Sequence, residues 1–212
     1  RRPPRSTQGV SSAASDVYKR QRYWCVTDLE CTGLEPERHE IIQIARVVID
    51  TVEKTIIPSL TTSEYILPTR WDQRDHTAMN VNGLTIKKLQ AEGVPAKQAL
   101  GDFGSGVNWS ETVLAAWGVD FETKFLRDEF RRIDRVVPFT FKVIDVRSLG
   151  HMPRAKLGFK DYMGLGESCE YYGVPFDLSL IHISEHTRLV MISYSVFCLK
   201  KKMGGGGGGG GA

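Results

Sequence analysis

Hydrophobic positions in this chain change their period partway along it. Tyr23-Trp24-Cys25-Val26 gathers aromatic and β-branched residues and reads as a strand that leads into Thr27-Asp28-Leu29-Glu30-Cys31, with Thr32-Gly33 as the turn that ends it. Glu40–Asp50 (EIIQIARVVID) is nearly continuous Ile and Val. That is the pattern of a buried strand, most simply antiparallel to the first across the turn Leu34–His39. Lys54–Ile57 and Glu64–Leu67 read as two short edge strands bounded by Pro58 and Pro68. A loop follows through Trp71–Asp75.

Beyond this loop the helical period takes over. Asn82-Gly83-Leu84-Thr85 reads as a turn with Thr85 capping a short helix that stops before Gly93. Pro95 suits the first position of a further helix, in which Ala99, Leu100, Phe103 and Val107 fall at helical spacing. Gly101, Gly104 and Gly106 weaken that helix by roughly 1 kcal/mol each relative to Ala. Thr112–Trp117 is a short apolar strand. Gly118-Val119-Asp120 leads into a helix from Phe121 to about Asp134, with Phe121, Phe125, Leu126, Phe130 and Ile133 as its apolar face. Phe139–Val146 reads as a strand and Tyr162–Tyr172 as a helix stopped by Gly173. Strands first, then alternating helices and strands, predict an α/β fold with helices packed on a mixed sheet.

Composition supports one ordinary globular domain, with 212 residues, 41% apolar and 25% charged. The formal charge of +3 misleads, because residues 22–177 hold 19 Lys+Arg against 23 Asp+Glu while the flanks hold 9 against 2. Basicity belongs to the ends, so net charge is no argument for nucleic-acid binding. Cysteines 25, 31, 169 and 198 form no C-x-x-C pair and have no His partner at zinc spacing. A reducing, cytoplasmic setting is the expectation. No signal peptide opens the chain, and the most apolar late run, Leu189–Leu199, is too short to span a bilayer.

The candidate chemistry starts at Asp28 and Glu30. On a strand these side chains share a face, and neighbouring carboxylates repel unless something cancels their charge. A hard divalent cation with oxygen ligands does so; two solvated carboxylates on a frayed strand end are the bland alternative. Asp120 stands at a strand-to-helix junction, where it either caps the helix or, if strands 23–29 and 112–117 are parallel neighbours, meets Asp28 and Glu30 at one sheet edge. Lys124, Arg127, Arg131 and Arg135, with Arg132 beside them, read as a solvated helix face, with phosphate contacts as the alternative. Trp24, Trp71, Trp109 and Trp117 suit core packing before base stacking.

These segments together resemble the DEDD-type 3′–5′ exonucleases, of the proofreading-exonuclease and oligoribonuclease kind. TDLECTGLEPERHEIIQIARVVID is similar to their first motif, Asp-x-Glu on the first strand of a ribonuclease-H-like fold. HTAMNVNGLTIKKL is similar to the lead into the first helix, LAAWGVDFETKFLRDEF to the second motif with Asp120 as its Asp, and KVIDVRSLG to the strand before the last helices. The resemblance implies a ribonuclease-H-like mixed five-stranded sheet flanked by helices. It also implies that Asp28, Glu30 and Asp120 bind two divalent cations, Mg²⁺ or Mn²⁺, and that Leu29 and Thr32 touch a terminal nucleotide. The implied partners are the 3′ end of single-stranded DNA or RNA and, for a proofreading enzyme, a DNA polymerase; no membrane is implied. A non-catalytic single-strand-binding module of the same fold is the alternative.

The family's third motif, a His with an Asp five positions on or a Tyr with an Asp four on, is absent. The residues five beyond His39, His76, His151, His182 and His186 are Ile44, Val81, Lys156, Thr187 and Met191. GESCEYYGVPFD resembles the segment just upstream of that motif and ends at Asp177. His182 and His186 fall in the right neighbourhood, and as substitutes for the general base they lack the motif's Asp. Residues 11–21 and 178–202 resemble translated sequencing-adapter read-through, and 204–211 are consecutive glycines. The expected organisation is therefore a flank at 1–21, an exonuclease domain at 22–177 incomplete at its C-terminal end, and a tail at 178–212, both flanks artefactual or disordered. An Arg at position 1 adds the expectation of a fragment. Impaired metal binding and little activity are expected of this chain.

Overall fold

A computed structural model describes residues 21–148 and 164–172 of the chain. The described residues form five strands and five α-helices. These are β1 (Tyr23–Cys31), β2 (Ile41–Asp50), β3 (Thr55–Tyr65), α1 (His76–Asn82), α2 (Ile86–Glu92), α3 (Ala96–Gly104), β4 (Thr112–Ala116), α4 (Val119–Arg132), β5 (Val143–Asp145) and α5 (Leu165–Tyr172). The sheet order is β3-β2-β1-β4-β5. β1–β2 and β2–β3 are antiparallel, whereas β1–β4 and β4–β5 are parallel. This is the mixed five-stranded sheet flanked by helices that the sequence implied.

Every residue of β2 is buried, which is why its Ile/Val run lacks alternation. Its guanidinium exception is Arg46, 2% exposed, which donates to the carbonyls of Leu60 (3.1 Å), Ser105 (3.0 Å) and Phe103. Arg46 thereby ties the edge strand and the end of α3 to the centre of the sheet.

Three expectations change. Lys54–Ile57 and Glu64–Leu67 are not two strands but the ends of one, β3, with Pro58 inside it. β3 pairs only with β2 and takes the edge position, where a missing N–H is tolerated. The ladder skips between Val48↔Ile57 and Arg46↔Thr62, which absorbs the proline segment in an irregularity. Phe139–Val146 shortens to the three residues of β5, while Phe139 packs in the core instead of pairing. His76–Asn82, read only as a lead-in, is a helix capped by Asp75, whose Oδ1 accepts from Thr77 N–H at 2.6 Å. It ends at Gly83, φ +67°, where a side chain would be strained.

Thr85 caps α2 as expected, accepting from Lys88 N–H at 3.3 Å. α3 buries Ala99, Leu100 and Phe103 but ends at Gly104, so Val107 lies beyond it. Of the predicted helix 162–172, residues 164–172 are described and 165–172 are helical; residues 1–20 and 173–212, with His182, His186 and Cys198, and also His151 lie outside the described residues. Among the described residues no helix is long and apolar enough to cross a membrane.

Candidate active site

The site is built from the C-terminal ends of the two parallel central strands. Alternation along β1 sends Cys25, Leu29 and Cys31 to the face under α3 and α4, and Trp24, Val26, Asp28 and Glu30 to the other. Asp28 sits opposite Ala45 and Glu30 opposite Gln43, and immediately after this pair the register slips, with Cys31 opposite Ile41. A bulge there turns the strand just past the two carboxylates. Asp28 is 8% exposed, an unusual place for a carboxylate at the rim of an apolar sheet.

Asp120 arrives on the neighbouring strand. β1 and β4 run in register from Tyr23↔Thr112 to Val26↔Ala115, so both chains leave the same edge of the sheet. Gly118, φ +94°, makes the turn into α4 and caps it without a side chain. Asp120 lies in the first turn of α4, is exposed, and does not cap the helix through its side chain. Its charge complements the positive end of the helix dipole. Asp145, at the end of β5, accepts from Gly118 N–H at 3.1 Å and pairs with Arg147 at 3.1 Å, holding this turn from the side.

A cleft of about 260 Å³ opens beside Asp120. Leu34 and Pro36 of the β1–β2 loop form one wall. Gly118, Phe121, Lys124 and Phe125 form the other with Asp120, and Arg147 stands at one end. Two cations and exposed apolar surface (Leu34 is 75% exposed) suit an anionic ligand with a flat apolar part.

Burial pushes the Cys31 thiol well above its ordinary value, and the negative field of Glu30, Glu122, Glu129 and Asp28 pushes it further. The end of β1 thus carries concentrated negative charge, and the donor set there is carboxylate oxygen. That chemistry fits a hard divalent cation. Among the described residues no three His, Cys, Asp or Glu side chains are grouped to hold a metal ion. Asp28 and Glu30 are brought together by β1, while Asp120 is brought to the same edge without joining them in such a group.

The other sequence candidates sort cleanly. Leu29 (6% exposed) packs in the core, and Thr32 (0%) uses its hydroxyl to accept from Glu40 N–H at 3.0 Å, so neither side chain lines the cleft. Their short-range position beside the carboxylates hid that they face inward. Of the basic face, Lys124 reaches the cleft; Arg131 pairs with Asp128, Arg127 lies over the Phe139 ring, and Arg132 is turned to backbone carbonyls. Trp24, Trp71, Trp109 and Trp117 pack against core clusters, as expected. Leu34, Asp145 and Arg147 were not singled out by sequence; an apolar residue in a polar turn was the available signal for Leu34.

Residues 25–186 match the RNase T family, described as exonuclease. The chain belongs to this exonuclease family. The matched span passes Asp177 and takes in His182 and His186. Solved structures of the same fold include cell-death related nuclease 4 (CRN-4), at TM-score 0.68 and 14% identity over 87% of this chain and 64% of that one. The nuclease domain of 3′hExo, a DEDDh family member bound to rAMP, has TM-score 0.62 and 21% identity over 87% and 94%. E. coli exonuclease I in complex with a dT13 oligonucleotide has TM-score 0.66 and 15% identity over 87% of this chain but 41% of that one. This chain therefore spans less than two thirds of CRN-4 and of exonuclease I. A search of curated proteins finds no match.

Proposed function

We propose that this domain derives from a metal-dependent 3′–5′ exonuclease that releases nucleotides from the 3′ end of single-stranded DNA or RNA. The observation that carries the reading is the pair Asp28 and Glu30. In a chain of the exonuclease family both carboxylates share one face at the end of β1, and the parallel neighbour β4 leads into the helix that carries Asp120 at the same sheet edge. The dT13 of exonuclease I and the rAMP of 3′hExo are ligands of the same chemical class.

Asp28, Glu30 and Asp120 would hold two divalent cations, Mg²⁺ or Mn²⁺. When bound, such ions supply Lewis-acid stabilisation to a scissile phosphate and its leaving oxygen. The chain's own groups then bind and orient. Lys124 and Arg147 offer positive charge to the phosphate, and Leu34 and Phe121 offer apolar surface to sugar and base. The attacking water needs a base. His39 does not serve, because it is buried and its Nδ1 already accepts from Glu35 N–H at 3.0 Å. In the proofreading version of this activity the protein partner is a DNA polymerase.

Asp28→Ala in an active longer chain should abolish Mg²⁺-dependent release of mononucleotides; retained release would overturn the reading. The chain as it stands has no Asp five positions after any His, and little release is expected from it. That absence favours a second reading, a single-strand-binding module without catalysis. It predicts oligonucleotide binding that is indifferent to Asp28→Ala.

A further inference from the structure

The cleft has one rigid wall, α4, and one wall made of loop. The loop is held from behind by the same helix. Arg132, in the last turn of α4, donates from Nη2 to the carbonyls of Pro36 (2.5 Å) and Glu37 (3.0 Å) and from Nη1 to that of His39 (3.1 Å). Arg70 donates to the carbonyls of Glu37 (3.3 Å) and His39 (2.8 Å). Glu129, 6% exposed, accepts from Arg132 at 2.6 Å and from Arg70 at 3.5 Å, which keeps the two guanidinium groups side by side. Inside the loop Gly33 lies against the His39 ring, where an added Cβ would come within 2.4 Å.

We propose that Arg132, supported by Arg70, is a positioning residue that sets the width of the nucleotide cleft; the proposal rests on the exonuclease reading above. α4 presents Asp120, Phe121 and Lys124 at one end and grips carbonyls 36, 37 and 39 at the other. One helix thereby defines both walls. Charge-assisted bonds to several carbonyls are strong and directional, and they engage the donors a phosphate would otherwise use. Without them, the Leu34–Pro36 wall would have to be ordered at each binding event, at a cost in affinity. Arg132 therefore acts on the ligand through the loop, without touching it.

The test uses the full chain with Ca²⁺ present and two readouts: hydrogen exchange of the segment 33–39, and binding of a fluorescein-labelled hexathymidylate by anisotropy. Arg132→Lys keeps the charge but cannot fork to three carbonyls. Arg131→Ala is the control, one position away, 74% exposed and paired only within α4 to Asp128. Arg132→Lys and Arg132→Ala should accelerate exchange in the loop and weaken binding about tenfold, with Ca²⁺ affinity unchanged. Arg131→Ala should do neither. Unchanged exchange in both Arg132 variants overturns the clamp. Faster exchange with unchanged binding, or an equal effect of Arg131→Ala, overturns its role in positioning. A wild-type chain that binds no oligonucleotide while Arg132→Lys still loosens the loop overturns the exonuclease reading of the cleft itself and leaves the clamp as architecture.

Discussion

The two faces of the central sheet are packed differently. Under α3 and α4, Cys25, Leu29, Ile44, Val48 and Leu114 meet Leu100, Phe103, Phe125, Leu126 and Phe130 in one large apolar cluster. The opposite face carries a smaller cluster of Val26, Ala45, Val47, Ile49, Ala115 and Val146, with Leu165 of α5 packed against it. That second face continues along β1 into Asp28 and Glu30. One strand thus serves both faces, because alternation lets odd positions anchor the fold while even positions run out into charge.

Removing an anchor from the large face should have the greatest effect. Phe125 is 0% exposed, and Phe125→Ala should cost roughly 3–5 kcal/mol, read from urea or thermal unfolding. A cost below 1 kcal/mol would mean that this face does not carry the fold. On the other face, Asp28→Asn should abolish the rise of Tm with Mg²⁺. A rise equal to that of the unchanged chain would remove Asp28 from the metal site.

The smallest effect tests the ion pair at the far end of β2. Arg22 donates to Asp50 at 2.8 Å, and this hydrogen bond, reinforced by the N–H groups of Glu53 and Val52, lowers the Asp50 carboxyl to about 2. A lowered carboxyl stabilises the fold above its unfolded pKa, near 3.9, and that contribution is lost as pH falls through about 2. Arg22→Gln should therefore lower stability at pH 6, with the deficit shrinking between about pH 4 and pH 2. A deficit that persists at pH 2 would show that Arg22 acts by packing. Because Asp50 lies away from the cleft, the Mg²⁺ response should not change.

Much of the fold was legible because its signals are local. The Ile/Val run of β2, the caps at Thr85 and Gly93, and the 3.6-residue period of α4 each depend on neighbours a few positions away. Reading β3 as two strands failed because Pro58 is excluded from central strands and allowed at an edge, and edge position is a property of the assembled sheet. Leu29 and Thr32 were assigned to a terminal nucleotide by resemblance to the family. Both point into the protein, where the partners that claim them, the α4 core and Glu40 N–H, are distant in sequence or across a turn.

The sequence by itself determined that two carboxylates share one face of a strand, that an Asp opens the helix after a later strand, and that these belong with exonuclease motifs. The first two statements follow from residue order and the twofold and 3.6-fold periods of the backbone, and the third from resemblance to a known family. Only the tertiary structure decided that β1 and β4 are parallel neighbours ending at one edge, that Lys124 and Arg147 face a cleft while Arg132 does not, and that Arg132 reaches back ninety-odd residues to hold the loop opposite its own helix. The reason is reach. A guanidinium looks the same in sequence whether it meets solvent, a phosphate or a carbonyl, and the packing of distant elements sets which of these it meets.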